Sequence, residues 1–160
     1  MLQVKSAILD FAVVDVLLPF IDNCRKKFPK VVTCNRSIEE ETVYPDNIFD
    51  LVYMSSVLEH CRDVEAAITN AMSLGKEFLF IMFKWSWSGD IAPHRKPEGH
   101  YSTCFNIWTI FDIIRRHGNI ESAKVFDGKY WVDFEKFAKG KTGSHRGYLA
   151  IKGGVLYEND

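Results

Sequence analysis

Apolar residues run almost unbroken from Ala12 to Val16 and again from Phe78 to Phe83, while elsewhere they recur at helical spacing. A short apolar run rich in β-branched or aromatic residues marks a strand. The first run predicts a strand over 11–16. Pro19 then suits a helix start, and Phe20, Ile21, Cys24 and Phe28 form a stripe with Arg25, Lys26 and Lys27 on the opposite face. Pro29 stops that helix. Val31 to Cys34 predicts a short strand, and Glu39 to Glu41 with Pro45-Asp46-Asn47 is loop and turn chemistry.

Phe49 to Met54 predicts the next strand. Asp63 is placed to cap a helix reaching Met72 or Leu74, with Val64, Ala67, Ile68, Ala71 and Met72 as its apolar stripe and Gly75 as its terminator. The Phe78–Phe83 run is a further strand. Ser102 or Thr103 is the expected cap of a helix ending at His117. Ile120 to Asp127 and Tyr148 to Lys152 read as closing strands. Residues 84–101, with Trp85, Trp87, Pro93 and Pro97, and residues 128–147 are expected as long loops. Strands alternating with helices in the first part predict one α/β domain over 1–160. Its sheet should be mostly parallel, and the long link before the last strand suits an antiparallel edge.

Composition narrows the class. Hydrophobic residues are 47% and aromatics 14% of 160, enough for a globular core. A net charge of −1 exerts no global pull toward nucleic acid or an anionic membrane. The segment from Ala7 to Ile21 carries Asp10, Asp15 and Pro19, so it is too short and too acidic to span a bilayer. It also lacks a clear signal-peptide cleavage pattern. Cys24, Cys34, Cys61 and Cys104 show no paired spacing, as expected of reduced thiols in a cytoplasmic protein. No metal is expected, since His94, His100 and Cys104 match no familiar zinc pattern. Gly140-Lys141-Thr142 is not a phosphate loop, because Glu135 stands where that motif needs glycine.

The segment from Asn47 to His60, followed by Asp63 and the helix it caps, resembles the fourth-strand region of class I S-adenosylmethionine-dependent methyltransferases. By strand pattern the resemblance runs from about Phe11 to Lys152. It implies a Rossmann-like fold beginning at that family's second strand, with S-adenosylmethionine as cofactor. It further implies that Asp15 binds the ribose hydroxyls, that Ser37 and Ile38 hold the adenine, and that Met54 and Ser55 line the methionine side. Lys84 and Trp85 would lie on the substrate side. His60 is the candidate acid–base group, although methyl transfer from a sulfonium depends mainly on alignment and desolvation. A carboxylate suits a ribose diol because it accepts two hydrogen bonds.

One part of that pattern is missing. The family's sheet order is 3-2-1-4-5-7-6, with a glycine-rich cofactor loop after the central first strand. Here only 14 residues precede Asp15, none is glycine, and the first glycine is Gly75. A parallel crossover needs about a dozen residues. The expectation is therefore an N-terminally truncated fold with an atypical segment 1–10. Direct pairing of the flanking strands, a partner chain in a homodimer, or cover by residues 1–10 remain open as its completion. Two functions follow. One is an S-adenosylmethionine-dependent methyltransferase, whole or truncated, acting on a small molecule. The other is a non-catalytic relic that binds or dimerises and has lost the cofactor. Basic and aromatic residues such as Trp87, Arg95, Lys129 and Trp131 mix in both loops, but the overall charge argues against nucleic acid.

Overall fold

The computed structural model describes residues 12–40, 44–89, 91–95 and 101–155, so segment 1–10 lies outside it. Strand β1 (Ala12–Asp15) leads to helix α1 (Leu18–Lys27), with Pro19 in its first turn, and then to β2 (Val32–Asn35). β1 and β2 pair in parallel, with Asp15 opposite Asn35 at their carboxyl ends. β3 (Phe49–Ser55) runs into a 3-10 turn at Leu58–His60, then α2 (Val64–Leu74) and β4 (Gly75–Ser86). The Asp63 side chain accepts from the Ala66 N–H and caps α2 as its position predicts.

The segment expected as a loop over 84–101 is more ordered than its composition suggests. β4 continues to Ser86, and β5 (Ile91–Arg95) pairs with β6 (Tyr101–Cys104) as an antiparallel hairpin. Ser102 and Thr103 therefore lie in a strand. The cap of α3 (Ile107–His117) is Asn106, whose side chain accepts from the Trp108 N–H. β7 (Gly118–Phe126) follows. The second expected loop, 128–147, holds β8 (Trp131–Asp133), α4 (Phe134–Ala138) and the start of β9 (Ser144–Val155).

The larger sheet has the order β3-β4-β9-β7-β8. β3 and β4 are parallel, and the remaining pairs are antiparallel. β3, β4 and β7 thus share one direction. The antiparallel edge is β8, whereas the closing strand β9 is inserted between β4 and β7. Leu149 and Ile151 of β9 are fully buried there. One face of this sheet meets α2 and α3 around Met54, Phe78, Phe80, Ile68, Ile110 and Ile114. The other face leaves Leu51, Tyr53, Trp131 and Tyr148 exposed.

β1-β2 forms a separate sheet, and no described strand is hydrogen-bonded between β1 and β3. The order is thus interrupted at the place where the pattern above puts its central first strand. Direct pairing of β1 with β3 does not occur. Among the described residues no helix is long and apolar enough to cross a membrane.

Candidate functional site

The carboxyl ends of parallel strands gather a sheet's ligand-binding loops, because each crossover leaves from that edge. At the end of β1 the Asp15 carboxylate is partly exposed. Its Oδ1 accepts from the Leu17 N–H at 2.7 Å, and among the described residues its Oδ2 accepts nothing. Asn35 of β2 donates its side-chain amide to the Asp15 carbonyl at 2.9 Å, which locks the two strand ends together.

The loop after β2 is bolted to α2. Glu39 Oε1 accepts from the Arg62 and Asp63 N–H groups at 2.6 Å each, and its Oε2 accepts from the Ser37 hydroxyl at 3.0 Å. Asn70 donates to the Ile38 and Glu40 carbonyls at 2.9 Å each. Ile38 packs against the core cluster. The loop expected to hold an adenine is therefore preorganised by groups 23 to 32 residues away. Asn35 and Asn70 escaped the sequence reading of the site, and Glu39 entered it only as part of the Ser37-Ile38-Glu39 adenine loop and not as its anchor, since no local pattern pairs a loop carboxylate with a later helix start. Replacing Glu39 by alanine should leave two backbone N–H groups without their protein acceptor. A loss of about 1–3 kcal/mol in urea unfolding is expected, and loss of Asp63 capping alone should cost about 1 kcal/mol.

β3 ends in a sharp turn. Ser56 sits at φ 52°, a left-handed conformation uncommon outside glycine, and its N–H donates to the Ile81 carbonyl at 3.0 Å. Ser55 is half-buried beside it, while the Met54 side chain belongs to the core cluster. In the 3-10 turn Leu58 and Glu59 are buried and His60 is exposed. Cys61 is buried too, and burial followed by the Glu39, Glu59 and Asp63 carboxylates pushes its thiol up to about 12. It is a packing residue rather than a nucleophile.

Lys84 is half-buried. Trp85, expected in a loop above a substrate, is instead a strand residue with 0% exposure. Its ring lies 4.6 Å from the His145 ring and 5.9 Å from that of Trp87. Trp87 in turn stacks on Phe134 of α4, and Phe134 meets Phe111 of α3. The physical reason is that β4 outlasts its apolar run and carries both tryptophans into an aromatic cluster with His145 and, through Trp87, Phe134.

Burial raises the Glu59 carboxyl above the ordinary range, against the lowering effects of its own backbone N–H and of His60. Folding therefore shifts this group toward its neutral form. Stability from this group is complete below the ordinary carboxylate range and is lost as pH rises through the raised folded value. Glu59→Gln should therefore melt higher than the parent at pH 8, with the gap closing at pH 4, as read by calorimetric scans. A gap independent of pH would contradict the assignment.

A family model described as a methyltransferase domain matches residues 2–77. The fold agrees over the rest of the described chain. Over residues 2–77 this chain is thus similar to a methyltransferase domain. An S-adenosylmethionine-dependent methyltransferase from Mesorhizobium loti superposes with a TM-score of 0.63 at 14% identity, covering 91% of this chain and 80% of that one. A Burkholderia thailandensis 1,6-didemethyltoxoflavin-N1-methyltransferase, solved with 1,6-didemethyltoxoflavin and S-adenosylhomocysteine, gives 0.59 at 11%, covering 92% and 72%. The N-methyltransferase NodS from Bradyrhizobium japonicum, solved with S-adenosylhomocysteine, gives 0.57 at 16%, covering 92% and 67%. At these identities the structures share the fold alone. No curated protein matches the chain in sequence. Against the sheet order 3-2-1-4-5-7-6 that the resemblance implies, β2 and β1 take the places of strands three and two, and β3, β4, β9 and β7 those of four, five, seven and six.

Proposed function

We propose that this chain is an S-adenosylmethionine-dependent methyltransferase whose adenosine subsite lies at the carboxyl ends of β1 and β2. The observation that carries the reading is Asp15, whose Oδ2 accepts nothing among the described residues, held by Asn35 beside a loop that Glu39 and Asn70 fix in place. A carboxylate with an open oxygen fits a ribose diol, and a pinned loop of half-buried backbone and Ile38 fits an adenine edge. The bound cofactor would supply an electrophilic methyl group. The chain's own part is to orient it, exclude water and hold the acceptor in line. Met54 contributes through its backbone, Ser55 at the methionine side, and Lys84 and His60 from the acceptor side. The acceptor is a small molecule in this reading.

The described residues fit the adenosine half of the cofactor. They offer no counterpart to the glycine loop that holds the other half in the family, because the place between β1 and β3 holds no described strand. That observation favours a second reading, a non-catalytic module that binds or dimerises. Leu51 and Tyr53 of β3 and Leu17, Leu18 and Phe20 near α1, all exposed, supply it with apolar surface.

Calorimetric titration with S-adenosylhomocysteine separates the two. Micromolar binding supports the first reading. Absence of binding at millimolar ligand, with a dimer in sedimentation, supports the second.

A further inference from the structure

The larger sheet is covered on one face only. α2, α3 and α4 share the core on one side, while Leu51 and Tyr53 of β3, Trp131 of β8 and Tyr148 of β9 stand 47% to 57% exposed on the other. A sheet built from strand–helix–strand units is normally buried on both faces, and an apolar patch rich in Tyr and Trp marks a contact surface. Register fixes its layout. Tyr53, Leu79, Lys152 and Ser122 stand side by side across β3, β4, β9 and β7, and residues so paired share a face. Two residues further along β7 stands Lys124, beside Ala150. Leu79, Ser122, Lys124, Trp131, Ala150 and Lys152 line one shallow concavity there. On the other side of the row lie Glu77 and Glu121, and both carboxylates reach Lys152, at 3.4 and 3.2 Å. One lysine cannot neutralise two carboxylates, so this side carries surplus negative charge. Lys124 has no carboxylate partner among the described residues, because the Asp133 carboxylate opposite it caps α4. The face is thus apolar in the middle, negative on one side and positive on the other.

We propose that two copies of this chain meet on this face, sheet on sheet. Opposite charges on either side of one row are what a two-fold axis along that row requires, since it sets each side of one copy against the other side of its mate. Lys124 of each copy then lies opposite Glu121 of the other, while Tyr53 and Leu79 meet their own counterparts on the axis. The strands of the two sheets run within about 30° of each other, the aligned packing of β-sandwiches. The area suffices. About 40 strand residues at about 3.3 by 4.8 Å each present roughly 650 Å² in projection, near the about 800 Å² per partner of a stable complex. Residues 1–11 are the longest stretch outside the described residues. Eleven residues reach about 16 Å even as one helix, short of the about 24 Å across five strands. A nucleic acid or an anionic membrane finds no net charge here, because Lys124 and Lys152 balance Glu77 and Glu121. Such a dimer needs no cofactor, and it gives the second reading above its contact face.

Sedimentation equilibrium of the full chain is the test. The parent should be dimeric at about 100 μM and dissociate on dilution. Tyr53→Glu, at an exposed position, places two carboxylates face to face on the axis. It should give a monomer with unchanged circular dichroism and melting. Lys124→Glu and Glu121→Lys should each weaken the dimer by about tenfold or more, since like charges then meet twice per dimer. An equimolar mixture of those two variants should recover the parent's affinity, because each offers the other the opposite sign at both contacts. Mixing would not repair damage to the fold of either one. A parent that stays monomeric at that concentration means that a different chain covers the face, and it would overturn the proposal. So would a dimer unmoved by Tyr53→Glu, or a mixture no tighter than its components. The same samples are titrated with S-adenosylhomocysteine. A dimer that does not bind it sinks the cofactor reading and leaves the interface standing, and binding by a parent that is monomeric does the reverse.

Discussion

Gly153→Ala should unfold this protein or leave it barely folded at room temperature. β9 lies between β4 and β7, with Gly153 opposite Phe78 on one side and Ile120 on the other. A Cβ at this position meets the Asn119 backbone oxygen and the Phe78 ring. Neither is the loose end of a side chain. The ring stacks on Phe80 in the centre of the core, 5.0 Å between centroids, and the carbonyl belongs to the neighbouring strand. Relief requires moving β9 against two ladders at once. A loss of about 3 kcal/mol or more is expected, at the upper end for overpacking, read as a lower urea midpoint with an unchanged slope. Gly154→Ala is the control. Its Cβ meets first the Asn119 side-chain oxygen at 3.2 Å and then Glu121 Oε1 at 3.6 Å, both able to give way. Its cost should stay under about 1 kcal/mol. Equal losses at the two sites would mean that glycine is needed here for some reason other than space.

Asp15→Ala should weaken S-adenosylhomocysteine by about 10- to 100-fold, the usual worth of hydrogen bonds to a charged group. The carboxylate also stabilises the turn into α1 through the Leu17 N–H, so alanine carries a small cost in stability as well. Asp15→Asn separates the two roles. It keeps an oxygen for Leu17 and gives up the charge, so its melting point should match the parent while its affinity falls. Unchanged affinity in both variants would remove Asp15 from the cofactor site and with it the observation on which the proposed function stands.

The legible parts of this fold were those written in short-range pattern. α2 starts at Val64 behind the Asp63 cap and stops at Gly75, because capping and termination are decided within a turn. β3 covers the apolar run from Phe49 onward, and α1 follows from the spacing of Ile21 with its basic face outside. Ser102 and Thr103 misled the reading of α3. Both are good caps, but pairing of β6 with β5 holds them in a strand, and Asn106 takes the cap. Trp85 was misplaced for a similar reason. Its neighbours in sequence are polar, yet β4 continues along β9 past a register shift between Met82 and Lys84 and ends beside His145 and Trp87.

The candidate site divides in the same way. Asp15 was legible because a carboxylate closing an apolar strand stands out from its neighbours. The anchoring roles of Glu39 and Asn70 were not, because their partners lie on another element, and nothing in either local sequence names them. The buried Glu59 was visible only as half of a Glu-His pair, and its burial depends on the packing of β6 over the turn.

The sequence by itself determined the element types, the α/β class, the resemblance to the methyltransferase family and the lack of any glycine before Gly75. These follow from periodicity, caps and composition, which act over a few residues. Only the tertiary structure decided that β9 is interior, that β1 and β2 stand apart from the larger sheet, and that Glu59, Trp85 and Thr103 are buried with side-chain polar atoms unpaired among the described residues. Those depend on which distant segments exclude water from one another, and burial of that kind is a property of the assembled chain rather than of any stretch within it.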